Sequence, residues 1–483
     1  MKENKYRCHF SIIIEKVFST IWILIVILLN EFISIIKDLR MNYIIKQELM
    51  ISIVIMGVLL ILTMYHFLIW RKTYIYIEDK SIVIEKNMKF FKKVNTISLA
   101  TISTVNLEQN LFERIINTSK IKLDTNSMST SDKTDVKIIL KKDKAEEFKS
   151  LILAIINNED LEEIKKEAVE DYYNIKYSFK DIVKHALYNI SFISILIGIG
   201  MVLIVLAELG ILDGNIKNQS IVDIIISVTI LVIIPLISSI FNLFKFYDFK
   251  VGRRDDKIYI SYGLITKKKY VIPISTISAI IVDEPLISRF FKRKNVELVN
   301  IGIGDDGKES SQLLLSENYE EYIIKLKSLL PEFKIKEDIK KQNKNCIYVN
   351  IFNCLIWAIG LGVFSSLTTW YFMIIMIIPI IYYVMKYNTW GIDIDEKYLG
   401  VATGTFRKRT KYVEYSKIQY VKISQGLISK IFKIYHGNIF ILASLVNRVD
   451  SIGYYKLDEF EEINEKLWWK IRGIFLYNII LLW

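Results

Sequence analysis

The sequence predicts an integral membrane chain with six transmembrane α-helices in three hairpins, each hairpin followed by a cytoplasmic α+β module of antiparallel strands closed by a C-terminal helix. Three observations predict this. Apolar residues fill 52% of the 483 positions, more than the ~45–50% of an ordinary soluble domain. They collect into six runs of spanning length. A spaced pattern of strand residues also recurs three times, once after each pair of runs.

The runs are Val17 to Ile36, Met50 to Trp70, Leu187 to Leu206, Ile221 to Phe244, Cys346 to Phe364 and Trp370 to Lys386. Each approaches the ~20 residues a helix needs to cross a hydrocarbon core about 30 Å thick. In the first, Asn30 and Glu31 stand where a cleavable signal would need small residues, and a second apolar run follows, so a retained helix is expected. Short connections, of which 365–369 is the tightest, pair the runs into hairpins. Most of the net charge of +12 lies in the N-terminus and in three long segments, 71–186, 245–345 and 387–483. Lysine and arginine flanking a span stay on the cytoplasmic side, so these segments are expected in the cytoplasm. The expected boundaries are hairpins at 17–70, 187–244 and 346–386, modules at 71–160, 245–332 and 387–470, linkers at 161–186 and 333–345, and an apolar tail at 471–483. Trp468, Trp469 and Trp483 favour a tail lying at the membrane surface. Cys8, Cys346 and Cys354 fall in no exported loop, so no disulfide framework is predicted.

Within each module, Ile102, Ile277 and Ile418 are each followed nine residues later by Leu111, Leu286 and Leu427, and three residues after that by Arg114, Arg289 and Lys430. These isoleucines and leucines are expected in the module cores. β-rich runs punctuated by Gly263, Gly404 and Gly426 read as antiparallel meanders. Each copy closes with an amphipathic helix, carrying Phe148 and Ile152, Tyr322 and Leu326, or Phe460 and Ile463 on its apolar face.

The threefold hairpin-plus-module plan with this isoleucine–leucine–basic spacing resembles the bacterial PH-domain membrane proteins of the YdbS/YdbT type, specifically the longer members with three modules. The resemblance spans nearly the whole chain. It implies that each module is a PH-like barrel or sandwich capped by its helix. It also implies a non-enzymatic role at the cell envelope, in maintenance or in defence against membrane-active compounds.

Each module carries a basic hairpin before its recurring strand: Lys89, Lys92 and Lys93, then Lys267, Lys268 and Lys269, then Arg407, Lys408 and Arg409. These are candidate contacts to an anionic inner leaflet. Generic attraction, about 1 kcal/mol per nearby basic residue, or plain solubility explains them better than a headgroup pocket does. Gly302, Gly304 and Gly307 fit a phosphate-cradling spacing but lead into a strand-like stretch, so a hairpin turn is expected. His9, His66, His185 and His436 share no ligand spacing, and no metal or other cofactor is predicted. Glu31, near the outer end of its run, and Pro235 and Pro379, inside returning helices, do not assemble a transport pathway. Asp283 and Glu284 lead into Pro285, which suits a turn, and Glu461 and Glu462 suit a polar helix face, so acid–base catalysis gains no support. The expected partners are membrane lipids, a protein of the same family or a second copy of the chain, and no nucleic acid. A six-helix transporter or channel with PH-like regulatory domains, or a membrane-anchored protein scaffold, are the alternatives.

Overall fold

The structure is a computed structural model that describes residues 5–14, 22, 25–26, 29, 45–88, 92–125, 136–157, 173–208, 221–300, 311–333, 335, 337–367, 377–441 and 449–471. It forms two compact units, 1–171 with 266–268, and 172–265 with 269–483. Glu31, Lys89, the three clustered glycines and the apolar tail lie outside the described residues.

In the first unit, helix α1 (Ile45–Arg71) runs into a meander of β1 (Thr73–Glu78), β2 (Ser81–Asn87) and β3 (Lys92–Ser98), then β4 (Ile102–Gln109), the short helix α2 (Leu111–Ile115), β5 (Thr118–Thr125), β6 (Val136–Lys141) and helix α3 (Lys142–Asn157). All neighbouring pairs among β1–β3 and β4–β6 are antiparallel. The tight β1–β2 reversal puts Asp79 and Lys80 at φ 44° and 57°, the left-handed pair that a hairpin of matching twist requires. Period-2 alternation turns Ile75, Ile82, Val105, Ile121 and Ile138 inward, and Phe148 and Ile152 of α3 close the core over them. Ahead of α1, Tyr6 exchanges both main-chain hydrogen bonds with Ile75, at 2.7 and 2.8 Å.

The second unit holds two modules, except for residues 266–268, which belong to the first. The first has β7 (Ile175–Lys176), helices α4 (Phe179–Tyr188), α5 (Phe192–Glu208) and α6 (Ile221–Phe246), strands β8 (Lys250–Arg254), β9 (Lys257–Tyr262), β10 (Lys267–Pro273) and β11 (Ile277–Glu284), the short helix α7 (Leu286–Phe290), strands β12 (Lys294–Asn300) and β13 (Ser311–Glu317), and α8 (Tyr319–Leu329). The next repeats the order: β14 (Lys340–Lys341), α9 (Cys346–Leu367), α10 (Ile377–Thr389), β15 (Gly391–Ile394), β16 (Tyr398–Thr403), β17 (Lys408–Glu414), β18 (Ile418–Ser424), α11 (Leu427–Ile431), β19 (Tyr435–Ile441), β20 (Val449–Tyr455) and α12 (Leu457–Ile471).

Two features depart from the sequence reading. Segments expected as linkers contribute strands: Ile175 pairs with Val251, and Lys340 pairs with Ile392, each across an intervening apolar hairpin. The hairpin is thus inserted between a module's first two strands. A two-residue strand carries no periodicity, which is why the sequence hid it. The second departure concerns the spans. Among the described residues two helices are long and apolar enough to cross a membrane, Ile53–Arg71 and Cys346–Val363, or three if α4 and the start of α5, bent by 60° at their break, count as one. The six expected are not all present among these residues, since much of the first run and part of the hairpin tips fall outside them.

The modules of the second unit share one sheet of order β13-β12-β11-β17-β16-β15-β14. Its central joint pairs β11 with β17, Ala279 opposite Val413 through Glu284 opposite Lys408. The sheet separates two cores. Ile280, Val282, Leu298, Tyr398 and Tyr412 face Tyr322 and Leu326 of α8. Ala279, Ile281, Leu399, Val401 and Val413 face Phe460 and Ile463 of α12. A register irregularity between Ile277 and Ala279 sets the phase of β11, which buries residues on both faces.

On β19, His436 receives or donates a 2.7 Å hydrogen bond with Ser451 Oγ. Burial, with Lys386 nearby, holds its imidazole below the ordinary histidine value. A depressed histidine keeps its proton better when unfolded, so its contribution is full above about pH 6.5 and is lost as pH falls toward the folded value. The melting temperature is therefore expected to drop between pH 7 and pH 5, and His436→Gln to flatten that drop. An unchanged slope in the variant would remove His436 as a source.

Candidate functional site

The third basic hairpin, between β16 and β17, is built on Gly404. Its φ is 92°, and a Cβ there would stand 1.9 Å from the Arg407 carbonyl oxygen, so glycine is required for the turn. The Gly404 carbonyl accepts a hydrogen bond from the Thr389 hydroxyl at the end of α10, and Phe406 stacks on Phe192 of α5 at 3.7 Å. Held this way, the hairpin turns its charges onto the preceding module. Arg407 grips the fully buried Asp283 with two hydrogen bonds, 2.5 and 2.7 Å, and reaches Glu297 at 3.4 Å. Arg409 donates to Glu297 at 2.6 Å, and Lys408 lies 3.8 Å from Glu284. Asp283 therefore lies inside β11, one residue before its end, as a buried ion-pair partner; it is not part of a turn, as Pro285 had suggested.

In the first unit, Lys92 pairs with Glu85 at 2.8 Å, and Lys93 lies beside it on an exposed strand. The buried Glu108 has Lys122 at 3.0 Å and Lys268 at 3.7 Å. Lys267 and Lys269 are half-buried. Most of the described basic candidates thus have carboxylate neighbours. A sequence signal for this was present. The acid stands six residues after the recurring isoleucine in two copies, Glu108 after Ile102 and Asp283 after Ile277, and Ser424 takes its place after Ile418.

The short helices after the recurring strand form a second recurring site. Helix α2 opens with Asn110 and Glu113 capping each other at 2.7 and 2.8 Å. Helix α11 opens with Ser429 Oγ accepting from Gly426 N at 2.7 Å. Helices α2, α7 and α11 are followed by a left-handed residue, Asn117, Lys292 and Lys433, at φ 53°, 53° and 50°. Five residues cannot bury every side. Leu111 is 50% and Leu427 86% exposed, which corrects the expectation that both are core; Leu286 is half-buried, while Ile102, Ile277 and Ile418 are buried. Phe290 is 83% exposed, and Ile115 and Ile431 are exposed beside Arg114 and Lys430.

Two of these helices stand at the foot of an apolar helix. Phe432, just after α11, stacks on Tyr348 in the first turn of α9 at 4.1 Å, and Ile428 and Phe432 pack with Cys346 and Val349. Ser288 of α7 donates to the Tyr188 carbonyl at 3.1 Å, Phe291 packs on the Tyr188 ring, and Asn295 donates to Asn189, all at the break between α4 and α5. His185, one turn earlier, lies 3.0 Å from Ser316 Oγ. Among the described residues no His, Cys, Asp and Glu group could hold a metal.

The bacterial PH domain family matches the chain three times, at residues 23–156, 191–322 and 352–467. The UPF0699 transmembrane protein YdbT of Bacillus subtilis (strain 168) is 24% identical over 398 residues, covering 76% of this chain and 79% of the relative. No solved structure matches. Apolar helices of spanning length and a transmembrane relative together point to membrane association. With three matched regions spanning more than half of its length, the chain belongs to the bacterial PH domain family.

Proposed function

We propose that the chain is a non-enzymatic, multi-pass membrane protein, with six spans in three hairpins, that holds three PH modules on the cytoplasmic face of a bacterial membrane and seats them on the lipid. One observation carries this reading: the exposed apolar residues of α7 and α11 stand beside the feet of apolar helices, with Arg289, Lys292, Lys430 and Lys433 around them. Apolar side chains framed by basic ones suit the boundary between acyl chains and anionic headgroups. Lipid contact then shifts from the basic hairpins to the short helices. Lys92, Lys93, Lys267 and Lys269 add long-range attraction to an anionic leaflet.

The test is depth, measured on the full chain in anionic nanodiscs with Cys8, Cys346 and Cys354 changed to alanine. Spin labels at Leu427→Cys and Phe290→Cys should collide more with oxygen than with a water-soluble nickel chelate, and a label at the exposed Glu461→Cys should do the reverse. An aqueous profile at all three positions would defeat the reading.

A further inference from the structure

Each half of the β11–β17 joint has a counterpart that, among the described residues, is paired on one side only. By the isoleucine alignment β3 occupies the place of β17, and β18 the place of β11. Among the described residues β3 is the edge of the β1-β2-β3 sheet and β18 the edge of the β18-β19-β20 sheet. Their surfaces differ from those of the paired strands at the same positions. Val94 is 48% exposed where Thr410 is buried, and Tyr420 is 47% exposed where Ala279 is buried. Every residue of β3 but Ile97 is exposed, whereas four consecutive residues of β17 are buried.

We propose that β3 of one copy pairs antiparallel with β18 of a second copy of this chain, in the register of the β11–β17 joint: Ile97 opposite Tyr420, Val94 opposite Ile423 and Lys93 opposite Ser424. An edge strand exposes a row of main-chain donors and acceptors that a second strand can satisfy. Both halves of the joint are on one chain, so the contact is heterologous and links copies head to tail, as an open chain or a ring. The inter-copy joint lacks the acidic latch. Ser424 and Asn438 stand where Asp283 and Glu297 hold Arg407 and Arg409, so main-chain bonds and the apolar Val94, Ile97, Tyr420 and Ile423 carry the contact. Association is therefore expected to be reversible and little weakened by salt. The lysines of β3 protect the edge against indiscriminate partners without clashing with these neutral positions.

The test uses two differently tagged full-length copies in one membrane, both without their native cysteines, one carrying Val94→Cys and the other Ile423→Cys. Directly opposed positions come within disulfide reach, and a two-residue offset does not. Oxidation should join the two tags several-fold more than the offset pair of Thr96→Cys with Ile423→Cys, and the tags should co-purify at high salt without oxidation. Val94→Lys should cut that co-purification several-fold. Equal joining in the offset pair, no joined species carrying both tags, or capture of other proteins without the second tag would each overturn the proposal.

Discussion

Replacing Arg407 and Arg409 together by alanine is expected to lower the stability of the second unit by about 3 kcal/mol or more. Asp283 and Glu297 are buried, and the two guanidiniums are their positive partners at 2.5–3.4 Å. A buried carboxylate left without its cation keeps its desolvation cost and loses the attraction that offset it. Asn295 still reaches Asp283 at 3.3 Å, but a neutral amide does not neutralise the charge. The guanidiniums are partly exposed, which holds the expected cost to the lower end of the range for buried pairs. Thermal unfolding of the full chain in detergent measures it. A second variant separates charge from shape: converting Asp283 and Glu297 to leucine along with the two arginines to methionine should recover most of the loss. If the arginine pair variant melts like the parent, the joint is held by its main chain and the charges are incidental.

The second large effect concerns neighbours in sequence that serve different cores. Ile280→Ala and Ile281→Ala should each cost about 2–4 kcal/mol, the usual loss for emptying a buried isoleucine site. Ile280 faces the α8 side and Ile281 the α12 side. Because β11 belongs to both cores, either substitution should loosen both modules. Amide exchange in β13 and in β19 reports on the two sides separately. Faster exchange in both strands from either variant is the expected result. Faster exchange confined to the strand on the substituted side would mean that the modules open independently.

Two of the apolar runs and the triple module were legible because each rests on a local, repeated signal: long apolar stretches at 53–71 and 346–363, and an isoleucine at Ile102, Ile277 and Ile418. The misreadings have physical causes. Leu111 and Leu427 recur at a fixed spacing, and recurrence reads like core; an exposed surface that repeats leaves the same trace. Asp283 was hidden by Pro285, which marks a boundary whether a strand or a loop precedes it. Its partner Arg407 lies 124 positions away in sequence, and a pairing at that distance leaves no local pattern. The two-residue strands β7 and β14 are too short for alternation, so the insertion of each hairpin inside a module could be seen only once the sheet was assembled.

The sharing of β11 also orders events on the ribosome. When residues 277–284 emerge, one flank of that strand and part of the α8-side core await Tyr398 and Tyr412, which are made more than a hundred residues later. Between the two, the apolar helix at Cys346–Leu367 is made. A nascent chain halted before Tyr398 therefore displays a sticky, half-finished sheet, and protease sensitivity should persist until synthesis passes Glu414 and the missing strand arrives. On the proposed membrane reading, insertion of that helix and completion of the fold are consecutive steps of a single assembly line, and a stall before β17 leaves the preceding module exposed to quality control.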